Sequence, residues 1–201
     1  MIIDKTYFVD DLNIPNLDFS ENSDLISNNN ALDNIISRSS FKYLSDVFGY
    51  KVAKEILNVF KTNGQIKSGT DQKYIDLIEG KDDEDWQGLR YEVSGVKYSQ
   101  IANYVYCQYL AQYENRLTDF GVTNDNAEQG RSISSWVKFN ASWKVMLSMR
   151  QICDYHLYEN YHFDYNFKPR DAKSLYEYLR DSADWDVDKF VHYEETNSLG
   201  L

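Results

Sequence analysis

The chain has 201 residues, 42% hydrophobic and 26% charged, with 32 acidic and 21 basic side chains for a formal net charge of −11. A chain near this size buries roughly 70% of its unfolded surface, so a core needs neither disulfides nor metal. The negative balance opposes general nucleic-acid binding, which needs clustered Lys and Arg to release counterions, and it repels an anionic membrane surface. An acidic wall that surrounds DNA without gripping it stays compatible with the charge.

Nine glycines and two prolines favour long regular elements over a loop-rich fold. Residues 1–30 read as an extended arm. Met1-Ile2-Ile3 and Tyr7-Phe8-Val9 are short apolar pieces with the character of strands, separated by Asn, Asp and Ser, which compete with regular structure. Ile2, Tyr7 and Phe8 are expected at a subunit interface. So few apolar residues do not offset roughly 1–2 kcal/mol of backbone entropy per ordered residue, whereas a neighbour's strand edge would. The opposing reading is a strand docked on its own domain.

A helical domain is expected over 31–185. Leu32, Ile35 and Ile36 share one helical face, and Ser39 or Ser40 is placed as the cap of a second helix with Phe41, Leu44, Val47 and Phe48. Gly49 is a candidate interruption before Val52, Ile56, Leu57, Val59 and Phe60, and Asn63-Gly64 closes the region. Thr70 and Asp71 open a short helix with Tyr74, Ile75, Leu77 and Ile78, ended by Gly80. Gly88 to Val96 is left between loop and short strand.

Two long helices dominate the expectation. Tyr98, Ile101, Ala102, Val105, Tyr109 and Tyr113 recur at spacings of three and four over 97–116. Tyr104, Tyr106 and Leu110 widen that stripe, which predicts more than one packing neighbour. Trp136, Phe139, Trp143, Met146, Arg150 and Cys153 define the second helix, over 132–159, antiparallel to the first. Leu117, Phe120 and Val122 are apolar residues in the polar connection 117–130, which reads as a rim touching another subunit or folding back onto its own core. Pro169 is placed in the first turn of a final helix with Leu175, Tyr176, Tyr178 and Leu179, and residues 186–201 as a tail. The fold class is therefore mainly α: an antiparallel helical bundle with two long helices, an extended N-terminal arm and minor short β elements.

Chemistry-bearing patterns are sparse. Ser132, Ser134 and Ser135 sit at a helix start and read as caps, with no G-x-S-x-G elbow, P-loop or G-x-G-x-x-G in the chain. Cys153 and His156 lie three apart on a helix face, but zinc needs three or four protein ligands, and His162, His192 and Cys107 form no paired motif. Cys107 and Cys153 read as small buried apolar residues with no disulfide framework. Asp82-Asp83-Glu84-Asp85 lacks the alternation of a calcium loop and reads as a solvated turn. Lys138, Lys144 and Arg150 read as the solvated edge beside an apolar stripe. No catalytic residue, metal site or cofactor is expected, nor a signal peptide or membrane span; without sign of secretion, the Asn140-Ala141-Ser142 sequon carries no meaning. Tyr, at 17 residues, suits half-buried interface positions, or reflects the compositional drift that also makes Asn abundant.

Taken together, Ile101-Ala102-Asn103-Tyr104-Val105-Tyr106 with Tyr109 and Tyr113, then Leu117-Thr118-Asp119-Phe120-Gly121-Val122, Asn126-Ala127-Glu128, and Trp136, Asn140 and Trp143 form a pattern. It resembles the head–tail connector proteins of tailed bacteriophages, especially the neck ring proteins of crAss-like phages. There an aromatic-rich helix leads through a T-x-x-G segment into a second long helix. The resemblance spans residues 98–150 and nothing outside them. It implies a structural virion protein, made in the host cytoplasm and located in the neck. Such a protein forms a homo-oligomeric ring, twelvefold in the family, below the portal protein and against other neck or tail proteins. DNA passes through the channel without specific binding. Two alternatives are a cell-wall-acting hydrolase with a carboxylate pair and a non-viral protein-binding module.

Overall fold

The computed structural model describes residues 1–14, 23–62, 64–113, 116–118, 121–123, 135–150 and 173–186. The fold is mainly helical, with two separate two-stranded antiparallel sheets. The elements are α1 (Ser23–Asn58), α2 (Gln72–Glu79), β1 (Arg90–Val93), β2 (Val96–Ser99), α3 (Gln100–Tyr113), β3 (Arg116–Thr118), β4 (Gly121–Thr123), α4 (Ser135–Arg150) and α5 (Leu175–Asp181).

Residues 23–30 extend α1 rather than an arm, so the helix begins well before Ala31. Ser39 and Ser40 are buried inside the helix rather than capping a second one. Leu32, Ile35, Ile36, Tyr43, Leu44 and Val47 keep one apolar face across them, and a modest Ser propensity penalty does not break a packed face. Gly49 does interrupt the helix, at φ 79° and ψ 158°. A straight continuation would bring Tyr50, Lys51 and Lys54 onto the core face, yet all three are exposed. The buried residues beyond the break are Ala53, Ile56 and Phe60. At about 100° per residue, that face is rotated by roughly 120° from the first. One chain buries both faces only if the helix bends between them, and this backbone conformation is one that glycine alone adopts readily.

α2 follows the sequence reading. The Asp71 carboxylate accepts from the Lys73 amide at 3.2 Å, and Gly80 ends the helix at φ 98°. Gly80 and Gly88 then bring two backbone stretches together. A Cβ on Gly88 would lie 2.6 Å from both the Gly80 nitrogen and the Ile78 carbonyl oxygen. The loop between them places Trp86 inside, where its indole donates to the Leu77 carbonyl at 3.2 Å and stacks on Tyr178 at 5.0 Å.

Residues 97–99, expected as the first turn of the long helix, are strand instead. Ser94 and Gly95 both have positive φ, 53° and 84°. Two consecutive residues of that kind form the tight turn whose twist matches a hairpin. Ser99 ends β2 and starts α3, with its hydroxyl accepting from the Ile101 amide at 3.1 Å and donating to the Leu89 carbonyl at 2.8 Å.

α3 is buried at every position from Ile101 to Cys107, because it is enclosed by α1 and α4, as its wide stripe predicts. Arg38 reaches Gln112 while Tyr43 reaches Gln100, so α1 runs opposite to α3. Cys107 lies against Phe139 and Tyr104 against Trp143, so α4 does too. α3 starts later than expected, at Gln100, and the expected parts of α4 at 132–134 and 151–159 lie outside the described residues. The final helix starts after Ser174, whose side chain and Glu177 form a reciprocal cap. Pro169, expected in its first turn, lies outside the described residues. Leu175, Tyr178 and Leu179 are buried as expected.

Three substitutions check this packing by urea unfolding. Gly49→Ala should lower stability by about 1–3 kcal/mol, the usual penalty for a side chain in this backbone region. Gly88→Ala should cost more, since its φ is 94° and backbone blocks the new methyl. Arg90→Met should cost about 2 kcal/mol, from charge-assisted hydrogen bonds to the carbonyls of Ile2 and Gly64 and to Glu79. An unchanged midpoint for Gly88→Ala would contradict the loop geometry.

Candidate interaction surfaces

Residues 1–14 belong to the chain's own core. Ile2, Tyr7 and Phe8, expected at a subunit interface, are buried there together with Ile3 and Ile14. The segment forms 3-10 turns at Lys5–Tyr7 and Asp10–Leu12 rather than strands. The entropy argument for an arm fails because long-range anchors hold it. Lys5 pairs with Asp33 at 3.0 Å, Lys97 donates to Thr6 at 2.7 Å, and Arg90 donates to the Ile2 carbonyl at 3.2 Å. Leu117 and Val122 are register partners in the β3–β4 ladder. Phe120 lies outside the described residues.

The β1–β2 hairpin inverts the usual arrangement of a surface sheet. Its register pairs Arg90 with Ser99, Tyr91 with Tyr98, Glu92 with Lys97 and Val93 with Val96. Arg90, Lys97 and Ser99 point to the body of the protein. Arg90 bonds Glu79 at 3.1 Å and lies over the Phe60 ring at 5.1 Å, and Lys97 lies over Tyr7 at 5.5 Å. Side chains alternate across a strand, so Tyr91, Val93, Val96 and Tyr98 form the outward face. Val93 is 51% and Tyr98 41% exposed, and the Tyr91 and Tyr98 rings stack at 5.3 Å. Counting Tyr98 with the α3 stripe hid this face. The signal for it was present: Tyr91-x-Val93 and Val96-x-Tyr98 alternate around a Ser-Gly turn.

α4 carries a second apolar surface. Trp136, Phe139 and Trp143 stack in sequence, at 5.7 and 5.9 Å between rings. The ladder runs from buried Trp143 outward to Trp136, which is 39% exposed beside Val137 at 56%. Lys138 and Lys144 are exposed as expected. Arg150 is not part of that edge: it is buried, with its guanidinium over the Tyr43 ring at 5.9 Å. The planar cation is weakly hydrated and stacks on aromatic faces, so it enters the core where Lys would not.

The described residues hold no group of three or more metal-ligating side chains. Asp82–Glu84 forms a 3-10 turn in which Lys81 pairs with Glu84. The Asp181 carboxyl is held below its usual range by Arg180 and then Lys173, the direction opposite to a general acid. Cys107 is a buried free thiol whose pKa burial pushes up to about 12. Cys153, His156, His162 and His192 lie outside the described residues. No described helix is long and apolar enough to cross a membrane.

Comparison with family models, curated proteins and solved structures gives no match.

The Cys107 environment gives a direct test. In a Cys153→Ser variant, an aromatic disulfide reagent at pH 8 should label nothing until denaturant is added, because only the thiolate reacts. Prompt labelling of the native protein would show that α3 is not enclosed.

Proposed function

We propose that the chain is a structural assembly protein: a ring-forming component of the head–tail connector of a tailed phage, set below the portal and docking the tail. The observation that carries the assembly part is the outward face of the β1–β2 hairpin, where Val93 and Tyr98 are exposed over a charged inner face. A sheet that turns its apolar side to solvent and its charges inward is arranged for contact with another protein, since contiguous exposed apolar patches mark interaction sites. The exposed end of the α4 aromatic ladder supports the same reading. The connector part rests on the resemblance over residues 98–150. The net charge of −11 suits a channel wall that lets DNA slide past.

Electron microscopy of the purified chain, alone and mixed with the portal assembly of a crAss-like phage, tests the reading. Closed rings seated on the portal are the expected result. A chain that neither forms rings nor binds a portal would sink it.

A further inference from the structure

Residues 173–186 bond much of their polar surface to themselves. The Ser174 amide donates to the Glu177 carboxylate at 2.8 Å, and the Glu177 amide donates back to the Ser174 hydroxyl at 3.3 Å. Asp181 pairs with Lys173 at 3.2 Å and with Arg180 at 2.9 Å. The Tyr178 and Ser182 amides donate to the Ser174 and Tyr178 carbonyls, both at 3.0 Å. What the segment turns to the body is apolar. Leu175, Tyr178 and Leu179, at positions i, i+3 and i+4, are buried, while Arg180, Asp181, Ala183 and Asp184 are exposed. That is the pattern by which a separate amphipathic helix lies in the apolar groove of a partner.

The surface beneath the segment is fixed by bonds of its own. Trp86 donates its indole N–H to the Leu77 carbonyl at 3.2 Å, and its backbone is bridged to Lys81 in both directions, at 2.7 and 3.2 Å. The Tyr74 hydroxyl donates to Glu55 at 2.7 Å. On this frame Tyr178 stacks on Trp86, with 5.0 Å between rings and 11° between planes. Trp185 meets Phe48 at 6.3 Å and Tyr74 at 5.7 Å, and the Lys73 ammonium lies over its ring at 5.5 Å. The Lys173 amide donates to the Asp85 carbonyl at 2.8 Å. α5 also lies against α4, which is itself held on α3 by the Cys107–Phe139 and Tyr104–Trp143 contacts.

We propose that residues 173–186 form a strap that leaves this surface and returns to it as one unit while α1 to α4 stay packed. Its cap and ion pairs travel with it, and Trp86 and Tyr74 keep their own partners, so undocking breaks mainly apolar and aromatic contacts and uncovers Phe48, Tyr74 and Trp86. α3 differs: Ile101–Cys107 is buried at every position, and no part of it opens without unpacking from both α1 and α4. Folds open in separate cooperative units, and the unit with the fewest enclosing contacts opens most easily. This inference stands apart from the connector reading and would survive its failure.

Hydrogen exchange on the full chain, followed residue by residue, reads the opening. The amides of Lys173, Tyr178 and Ser182 should show protection factors close to one another and at least about tenfold below those of Val105 and Tyr106. Tyr178→Asp sets a charge against the Trp86 ring and should release the strap. The variant should keep a single cooperative urea transition, and it should bind a synthetic peptide of residues 173–186 in a fluorescence anisotropy titration. The same peptide carrying Tyr178→Asp should bind at least about thirtyfold more weakly, the loss typical of a central aromatic anchor.

Three results would overturn the proposal. The first is protection of Lys173, Tyr178 and Ser182 equal to that of α3, which would make the segment part of the global unit. The second is a Tyr178→Asp chain with no cooperative transition, which would make the segment essential to the core. The third is a folded Tyr178→Asp chain that does not bind the peptide.

Discussion

Arg90 ties four stretches of chain that are far apart in sequence. From the first residue of β1, its guanidinium donates to the Ile2 and Gly64 carbonyls at 3.2 Å and meets Glu79 at 3.1 Å, while its plane covers Phe60. A fork of rigid donors can satisfy several acceptors at once without reorganising. The N-terminal segment, the turn after α1, the end of α2 and the hairpin are thus fixed by one side chain. With its inner face engaged in this way, the hairpin has only its outer face left to turn to solvent.

The other organising constraint is the enclosure of α3. Seven consecutive buried residues, Ile101–Cys107, require packing on opposite sides, and α1 and α4 provide it in antiparallel directions. Two polar pairs are matched inside this layer: Tyr43 donates to Gln100 at 2.8 Å and Asn103 donates to the Ser99 carbonyl at 3.0 Å. Such pairing matters because a buried polar group without a partner costs about 1–3 kcal/mol. Aromatic contacts extend the layer outward. Tyr43 meets Tyr104, Tyr104 meets Trp143, and the stack continues through Phe139 to Trp136 at the surface. The core and the exposed Trp136 are thus joined by one continuous set of rings.

This arrangement leaves mainly aromatic and β-branched side chains as the exposed apolar surfaces among the described residues. The side chains that bind, orient or cover other groups here are aromatic and β-branched, and the ionic groups serve mainly to fasten chain segments. Lys5 with Asp33, Lys81 with Glu84 and Arg90 with Glu79 each join parts of one fold.

Much of the helical content was legible in the chain. The period of Leu32, Ile35, Ile36, Leu44 and Val47, the Asp71 cap of α2, the Gly49 break and the breadth of the α3 stripe all state local rules that tertiary packing obeys. Three things were decided only in three dimensions. Ile2, Tyr7 and Phe8 are too few to fold as a local unit, and their burial comes from Arg90, Lys97 and Asp33, distant residues whose proximity no local pattern encodes. Arg150 follows the helical period either as a solvated edge or as a buried cation, and Tyr43 across the core selects the second. Tyr98 fits both a helical stripe and a strand alternation. Ser94 and Gly95 settle it by adopting positive φ together, and that turn sends the apolar side of the hairpin outward because Arg90 and Lys97 hold the other side against the body.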